Sequence, residues 1–191
     1  MRIGILGGSF NPPHIGHLIL AEKVRQKLKL DKVIFVPAYI PPLKKEKDLL
    51  GAEDRLHMVE LAVRDNSYFE VSRLEIERGG VSYTVDTLKA FKEILGKDAE
   101  LFFIAGSDVI TNLNRWKKID EILRLAKFVI VIRKGFKTTS LPKAVEKIEM
   151  ETIDVSSSQI REHVRRGESV RYLVPEAVRK LILKKNFYFE K

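Results

Sequence analysis

Residues 7–17 read GGSFNPPHIGH and directly follow MRIGIL, a short apolar run typical of a buried β-strand. Gly7 and Gly8 let the backbone turn sharply and approach a ligand closely where that strand ends. Pro13 suits the first turn of a helix, so a helix is predicted to begin near His14. The helix would direct its free N–H groups and the positive end of its dipole at the loop, which predicts an anion site.

Two histidines add chemistry to this anion site. His14 and His17 are three residues apart, so both project from one face of the first helical turn. Imidazole N–H groups there can bind a polyphosphate and stabilise the charge that develops on leaving phosphate oxygens. The pair could also be half of a metal site, but no third ligand lies nearby, and we assign no metal ligand. The stretch also lacks the Gly-Lys-Ser/Thr ending of a Walker loop.

The pattern along the rest of the chain predicts an α/β fold. Strands are predicted at 2–6, 32–36, 69–72, 101–105, 128–132 and 149–153. Helical faces are formed by Leu18, Ala21, Val24 and Leu28, by Leu56, Val59 and Val63, and by Leu88, Phe91 and Leu95. Regular alternation predicts a doubly wound, mostly parallel sheet whose ligands bind beyond the carboxyl ends of its strands. We expect one domain over residues 1–191, with a small C-terminal helical segment at 157–191, and mobile loops at 38–51 and 133–142.

Composition narrows the classes of function. The 191 residues include no cysteine, which excludes disulfides, thiolate metal sites and a cysteine nucleophile. The net charge of +9 favours anionic partners, among them phosphorylated metabolites and nucleic acid. No apolar run approaches the length of a membrane helix, and the chain opens on a strand pattern without a signal peptide. We therefore expect a cytoplasmic protein that does not bind membranes.

A second anion site is predicted near the C-terminus, where residues 155–161 read VSSSQIR. Ser156 and Gln159 have the spacing of a capping box at the start of a helix. Clustered hydroxyls, including that of Ser157, and Arg161 one turn into the helix can bind phosphate oxygens. Taken alone, the stretch is explained by an ordinary capped helix with a solvated arginine. Taken together with the anion site predicted at residues 7–17, it favours a second phosphate-binding site.

Three further stretches place polar groups near strand ends. Lys44, in PAYIPPLK, can hold a phosphate or be a solvated lysine. Residues 82–88 read SYTVDTL and predict a helix start. Its hydroxyls could cap the helix, or its N–H groups could bind a carboxylate.

Residues 104–108 read IAGSD, where Gly106 permits close backbone approach and Asp108 can accept hydrogen bonds from ribose hydroxyls. Trp116 is a core residue or a stacking platform, and Arg133 adds charge at the same sheet edge.

These motifs together resemble the nucleotidyltransferase superfamily that carries a His-x-Gly-His element on a Rossmann-like domain. From the first strand to Arg161 the chain is most similar to the nicotinate-mononucleotide adenylyltransferases of bacteria. Residues 155–161 resemble the family pattern Ile-Ser-Ser-Thr-x-x-Arg, with Val155 for Ile and Ser158 for Thr. The resemblance implies transfer of the adenylyl group of ATP, with Mg²⁺, to nicotinate mononucleotide, which gives deamido-NAD and pyrophosphate in NAD biosynthesis.

The resemblance also implies roles for the candidate residues. His14, His17 and Arg161 would be catalytic. Trp116 would stack on the pyridine ring, and backbone N–H groups near Val85 and Lys117 would bind the nicotinate carboxylate. The predicted ATP site comprises Gly8, Ser9, Phe10, His14, His17, Gly106, Ser156, Ser157 and Arg161. The predicted mononucleotide site comprises Lys44, Thr84, Val85, Asp108, Trp116, Lys117 and Arg133.

Two alternatives remain at this point. The acceptor could be nicotinamide mononucleotide or another phosphorylated compound such as phosphopantetheine, although enzymes for the latter carry Thr where His14 stands. A non-enzymatic alternative is a nucleic-acid-binding domain that uses the basic C-terminal part of the chain. Few aromatic residues interleave with those charges, and that alternative leaves both phosphate loops unexplained. Oligomeric state is not predicted.

Overall fold

The computed structural model describes residues 1–42, 49–96, 98–133, 144–151 and 153–189. Its strands are β1 (Arg2–Gly8), β2 (Lys32–Pro37), β3 (Phe69–Val71), β4 (Glu100–Gly106), β5 (Lys127–Arg133) and β6 (Val145–Met150). They form one sheet in the order β3-β2-β1-β4-β5-β6, and every neighbouring pair is parallel. The predicted parallel sheet is therefore confirmed.

Five of the six predicted strands are confirmed to within two residues at each end. The sixth prediction, 149–153, is wrong, because β6 begins at Val145 and ends at Met150. β6 lies at the edge of the sheet, and only Val145 and Ile148 are buried among charged neighbours. An edge strand is partly exposed, so its sequence lacks the continuous apolar run that is typical of a buried central strand.

The helices are α1 (Ile15–Leu28), α2 (Ala52–Val63), α3 (Leu74–Arg78), α4 (Thr84–Leu95), α5 (Ile119–Leu125), α6 (Ser157–Arg165) and α7 (Glu176–Lys185), with a 3₁₀ helix at Ser107–Arg115. The three predicted helical faces lie in α1, α2 and α4. Side chains of β2 alternate between two cores: Ile34 and Val36 pack with residues of α4 and α5, Val33 and Phe35 with residues of α1 and α2. Helices therefore cover both faces of the sheet, as predicted.

The C-terminal helices α6 and α7 confirm the predicted helical segment. Their apolar residues, among them Ile160, Val164, Val178 and Ile182, form a third cluster that includes Met58 of α2. The segment is thus packed against the main body through α2. That residues 1–191 form a single domain stays a prediction.

The strand order reverses beside β1. The chain moves outward from β1 through β2 to β3, then returns to the other side of β1 with β4 and continues to β6. Loops that leave the carboxyl ends of β1 and β4 diverge at this point and open a crevice for a ligand. The loop of residues 7–17 therefore lies where ligands bind in sheets of this kind.

The loop after β2, predicted at 38–51, begins close to the loop after β1. Ala38 donates its N–H to the carbonyl of Gly8 at 2.9 Å, so the chain leaving β2 stays bonded to the end of β1. Residues 43–48 and 134–143 lie outside the described residues, and the predicted mobility of 38–51 and 133–142 stays a prediction. In the part of the chain that the structure describes, no helix is long and apolar enough to span a bilayer.

Candidate active site

The loop after β1 is shaped by Phe10. Its backbone is left-handed, with φ 48°, which is rare for a bulky residue, and its ring is buried against Phe35. A side chain at Gly8 would meet the Phe10 ring at 3.2 Å, so glycine allows the ring to lie beneath the loop. Gly8 and Ser9 are consequently half-buried at the end of β1, while the Phe10 ring is buried beneath them.

The two histidines meet at the start of α1. His14 is the residue before the helix, and Pro13 precedes it rather than lying in the first turn as predicted. The two imidazoles stack with centroids 3.7 Å apart, which confirms that they share one face. The backbone N–H of His14 donates to Nδ1 of His17 at 3.1 Å. Because Nδ1 accepts, neutral His17 carries its proton on Nε2, so Nε2 is a hydrogen-bond donor.

Gly16 allows this arrangement of rings. A side chain there would lie 2.9 Å from Nδ1 of His14 and 2.9 Å from a methyl of Val155. Contacts that short force neighbouring groups to move. The glycine between the histidines thus lets the His14 ring lie against the helix backbone, next to the segment that leads into α6.

Helix α6 brings the second predicted anion site onto the first. Ser157 donates its hydroxyl to the carbonyl of Pro12 at 2.8 Å, and Arg161 donates to the carbonyl of Asn11 at 2.8 Å. Ser156 is the N-cap and accepts the N–H of Gln159 at 3.2 Å, which confirms a capped helix start at this point. The predicted reciprocal bond is absent from the described contacts; instead the Ser156 hydroxyl donates to the Gln159 side chain at 2.9 Å. Residues 150 positions apart thus share one site.

The α4 helix begins without a side-chain cap. Tyr83 is the N-cap, and the hydroxyl of Ser82 accepts the N–H of Tyr39 at 2.9 Å instead of capping the helix. Capping by these hydroxyls is therefore not what the structure shows. The N–H groups of Thr84 and Val85 lie in the first turn, where a helix supplies no acceptors.

Trp116 and Lys117 lie beside the start of α4. Lys117 places Nζ 4.1 Å from the Tyr83 ring centroid and 3.4 Å from a carboxylate oxygen of Asp86. Trp116 is half-buried and sets its ring edge-on to Phe103 and Phe128, at centroid distances of 5.7 and 5.5 Å. The tryptophan is thus anchored in the core while part of it stays accessible.

The positions of the remaining candidate residues follow from the strands that precede them. Gly106 ends β4 and Arg133 ends β5, so both lie at the carboxyl edge, and Asp108 follows in the 3₁₀ helix. Lys44 lies outside the described residues. The binding roles given to the candidate residues in the sequence analysis stay predictions, since the structure supplies their positions and not their ligands.

Sequence reasoning missed three buried polar residues around these loops. Asn11 is fully buried and accepts the Tyr188 hydroxyl at 2.8 Å and the N–H of Leu50 at 3.3 Å through its side chain. Arg55 is fully buried in α2, and Glu75 is buried in α3. Arg55 carried one signal: it falls four residues before Val59 on the apolar face of α2, where a charge needs partners.

The environment of Glu75 shifts its titration. Burial raises the pKa of the Glu75 carboxyl, while hydrogen bonds from Thr87 and Ser82 and the charges of Arg78 and Arg55 oppose that rise. Desolvation is the largest of these effects. In the described ranges no group of three or more His, Cys, Asp or Glu side chains is placed to hold a metal ion.

Comparison with known proteins places this geometry in a family. A model described as cytidylyltransferase-like matches residues 5–163. A probable nicotinate-nucleotide adenylyltransferase of Lactiplantibacillus plantarum is 46% identical over 187 residues, which are 98% of this chain and 88% of that protein. A Dehalococcoides mccartyi protein of the same name is 43% identical over 201 residues, 100% of this chain and 98% of its own. The chain belongs to the nicotinate-nucleotide adenylyltransferase family.

Solved structures confirm the fold of this family. The Plasmodium falciparum nicotinic acid mononucleotide adenylyltransferase complexed with NaAD superposes with a TM-score of 0.80 at 22% identity, over 98% of this chain and 97% of that one. A putative nicotinate-nucleotide adenylyltransferase from Vibrio parahaemolyticus gives 0.74 at 21% identity, over 100% and 96%. The predicted Rossmann-like, doubly wound architecture and the resemblance to the nucleotidyltransferases are both confirmed.

Proposed function

We propose that this adenylyltransferase joins ATP and nicotinate mononucleotide to give deamido-NAD and pyrophosphate. The observation that carries the proposal is the convergence of the His14–His17 pair with Ser157 and Arg161 around the loop after β1. The relatives of this chain are named for this reaction. The cluster supplies hydrogen-bond donors for a triphosphate at the crevice between β1 and β4.

The ATP half of the site is built from donors. The backbone N–H groups of Gly8 and Ser9 and the N-terminus of α1 would face phosphate oxygens, and Nε2–H of His17 would donate to them. Mg²⁺ would enter with ATP as part of the substrate and would neutralise charge on its phosphates. Arg161 and Ser157 would exchange part of their bonds to the loop for bonds to phosphate.

The mononucleotide half recognises a carboxylate. The positive end of α4 and the ammonium group of Lys117 lie side by side, and both favour an anion over a neutral amide. Trp116 offers an aromatic surface anchored by Phe103 and Phe128 for the pyridine ring. This electrostatic difference is the reason to prefer nicotinate to nicotinamide mononucleotide, with Asp108, Arg133 and Lys44 assigned to the ribose and phosphate.

The chemistry is one in-line displacement. An oxygen of the mononucleotide phosphate forms a bond to the α-phosphorus of ATP, and the bond from that phosphorus to the oxygen bridging to the β-phosphorus breaks. The electron pair of the broken bond leaves on pyrophosphate. The nucleophile is already an anion at neutral pH, so the reaction needs no general base, and the protein contributes positioning and charge stabilisation. His14, His17 and Arg161 stabilise the charge on the departing pyrophosphate.

Product identification tests the proposal. The purified protein is incubated with ATP, Mg²⁺ and, in separate reactions, nicotinate mononucleotide, nicotinamide mononucleotide and phosphopantetheine. We expect deamido-NAD and pyrophosphate in equal amounts and a higher kcat/KM with the nicotinate compound. A higher kcat/KM with either other acceptor would replace the proposed substrate. Absence of any adenylylated product, together with tight binding to DNA or RNA at physiological salt, would favour the nucleic-acid-binding alternative.

A further inference from the structure

Arg55 is a charged side chain with no exposure to solvent, and it donates hydrogen bonds to three loop carbonyls. Its Nε donates to Leu50 at 2.9 Å, one terminal nitrogen donates to Ser9 at 2.9 Å, and the other donates to Tyr39 at 2.9 Å. A guanidinium offers its donors in a fixed planar fork, so three carbonyls bonded to it are held at fixed positions relative to one another.

These carbonyls belong to segments that serve different substrates. Ser9 is part of the loop assigned to ATP, and Tyr39 lies in the segment that follows β2. The N–H of Tyr39 in turn donates to Ser82 at 2.9 Å, two residues before α4 begins. One side chain therefore links the ATP loop, through Tyr39 and Ser82, to the helix start assigned to the nicotinate carboxylate.

The surroundings show why an arginine is needed here. A buried cation is costly unless it is hydrogen-bonded, and the carbonyl dipoles together with the Glu75 carboxyl supply the compensation. Glu75 also accepts from Thr87 of α4, which joins the same buried polar network to that helix. An apolar residue would fill this space at less electrostatic cost, but it could not fix two loops at once.

We propose that Arg55 is a positioning residue that sets the distance and orientation between the bound triphosphate and the bound mononucleotide. The inference rests on the proposed function, because it concerns the alignment of the two substrates in that reaction. In-line attack requires the nucleophilic oxygen to lie close to the α-phosphorus along one direction, and a misplacement of about 1 Å costs about 100-fold in rate. Arg55 touches neither substrate and acts through the Ser9 and Tyr39 backbones.

The test compares Arg55→Lys with Arg64→Lys, an exposed arginine at the end of the same helix. Lysine keeps the charge but cannot hold three carbonyls with one planar fork. We expect kcat of the Arg55→Lys enzyme to fall at least about 10-fold, while KM for each substrate changes less than about threefold and Arg64→Lys behaves like the wild type. Circular dichroism and thermal unfolding measure the folded fraction, and kcat is expressed per folded molecule.

Two results would overturn the inference. One is a folded Arg55→Lys enzyme with kcat within about threefold of wild type; the other is a loss of activity fully accounted for by unfolded protein. If Arg55→Lys does not fold, Ser82→Ala decides, since it removes the acceptor for Tyr39, together with one hydrogen bond to Glu75, and leaves Arg55 in place: a fall in kcat at constant KM supports the inference, and unchanged kcat overturns it. A wild-type protein that makes no deamido-NAD refutes the proposed function, whereas an active wild type with an unaffected variant refutes only the role of Arg55.

Discussion

Two substitutions of His17 separate its structural role from its chemical one. Nδ1 of His17 accepts the N–H of His14 and closes the start of α1, while its neutral ring carries the N–H on Nε2. The side-chain oxygen of Asn can take the place of Nδ1, but Asn has nothing at the position of Nε2. The side-chain oxygen of Gln can also accept the His14 N–H, as at the third position of a capping box, and its amide nitrogen adds a donor near the position of Nε2.

The two roles of His17 predict effects of different size, one on kcat and one on the free energy of unfolding. Loss of one preorganised donor to a developing oxyanion costs about 10²–10³-fold in kcat, or about 2.7–4 kcal/mol. His17 is half-buried, so water can replace part of the lost bond, and we expect His17→Asn to lose about 100-fold in kcat. Loss of a helix N-cap bond costs about 0.5–2 kcal/mol of stability. His17→Ala should therefore unfold at lower urea concentration than the wild type, while His17→Gln should stay close to the wild type in stability and keep more than about 10% of its kcat.

The assay pairs initial rates of pyrophosphate release at saturating substrates with urea unfolding of each variant. We expect the order of activity to be wild type, Gln, Asn, and we expect both of these variants to be close to the wild type in stability and more stable than His17→Ala. The opposite ranking in activity, or an Asn variant with near-normal turnover, would refute the assignment of Nε2–H as the donor to the phosphates. His17→Ala serves as the reference that lacks both groups.

Three other perturbations test the surroundings of the site. Gly16→Ala should lower kcat about 10-fold or more by displacing the His14 ring, although alanine favours helix by about 1 kcal/mol; wild-type turnover with a higher melting temperature would contradict this. Lys117→Met should reduce the preference in kcat/KM for nicotinate over nicotinamide mononucleotide about twofold to fivefold, and an unchanged ratio would remove Lys117 from carboxylate recognition. Because burial raises the pKa of Glu75, the folded state retains its proton longer than the unfolded state, and the contribution of Glu75 to the free energy of unfolding should fall as pH rises above 4.5. In urea titrations the free energy of unfolding of the wild type should therefore fall relative to that of Glu75→Gln as pH rises, and parallel pH profiles would contradict it.

Local patterns in the sequence predicted much of the site because its parts are short and contiguous. The turn at Gly8, the helix start at His14 and the N-cap at Ser156 each depend on a few adjacent residues. Backbone geometry and hydrogen bonds within one turn are largely independent of the rest of the chain. The prediction for β6 was wrong for a related reason. Only Val145 and Ile148 of this edge strand are buried, so its sequence lacks the continuous apolar run that marks a buried strand.

The sequence by itself determined that strands alternate with helices, that helices start after His14 and after Ser156, and that two histidines share one face. Tertiary structure decided which distant groups meet: α6 reaches the loop of Asn11 and Pro12, Ser82 binds Tyr39 instead of capping α4, and Arg55 bridges two loops. Hydrogen bonds between residues far apart in sequence form only after the sheet has set its strand order and the core has closed. No periodicity in the chain encodes such partners, because they are selected by burial, where an unpaired polar group is costly.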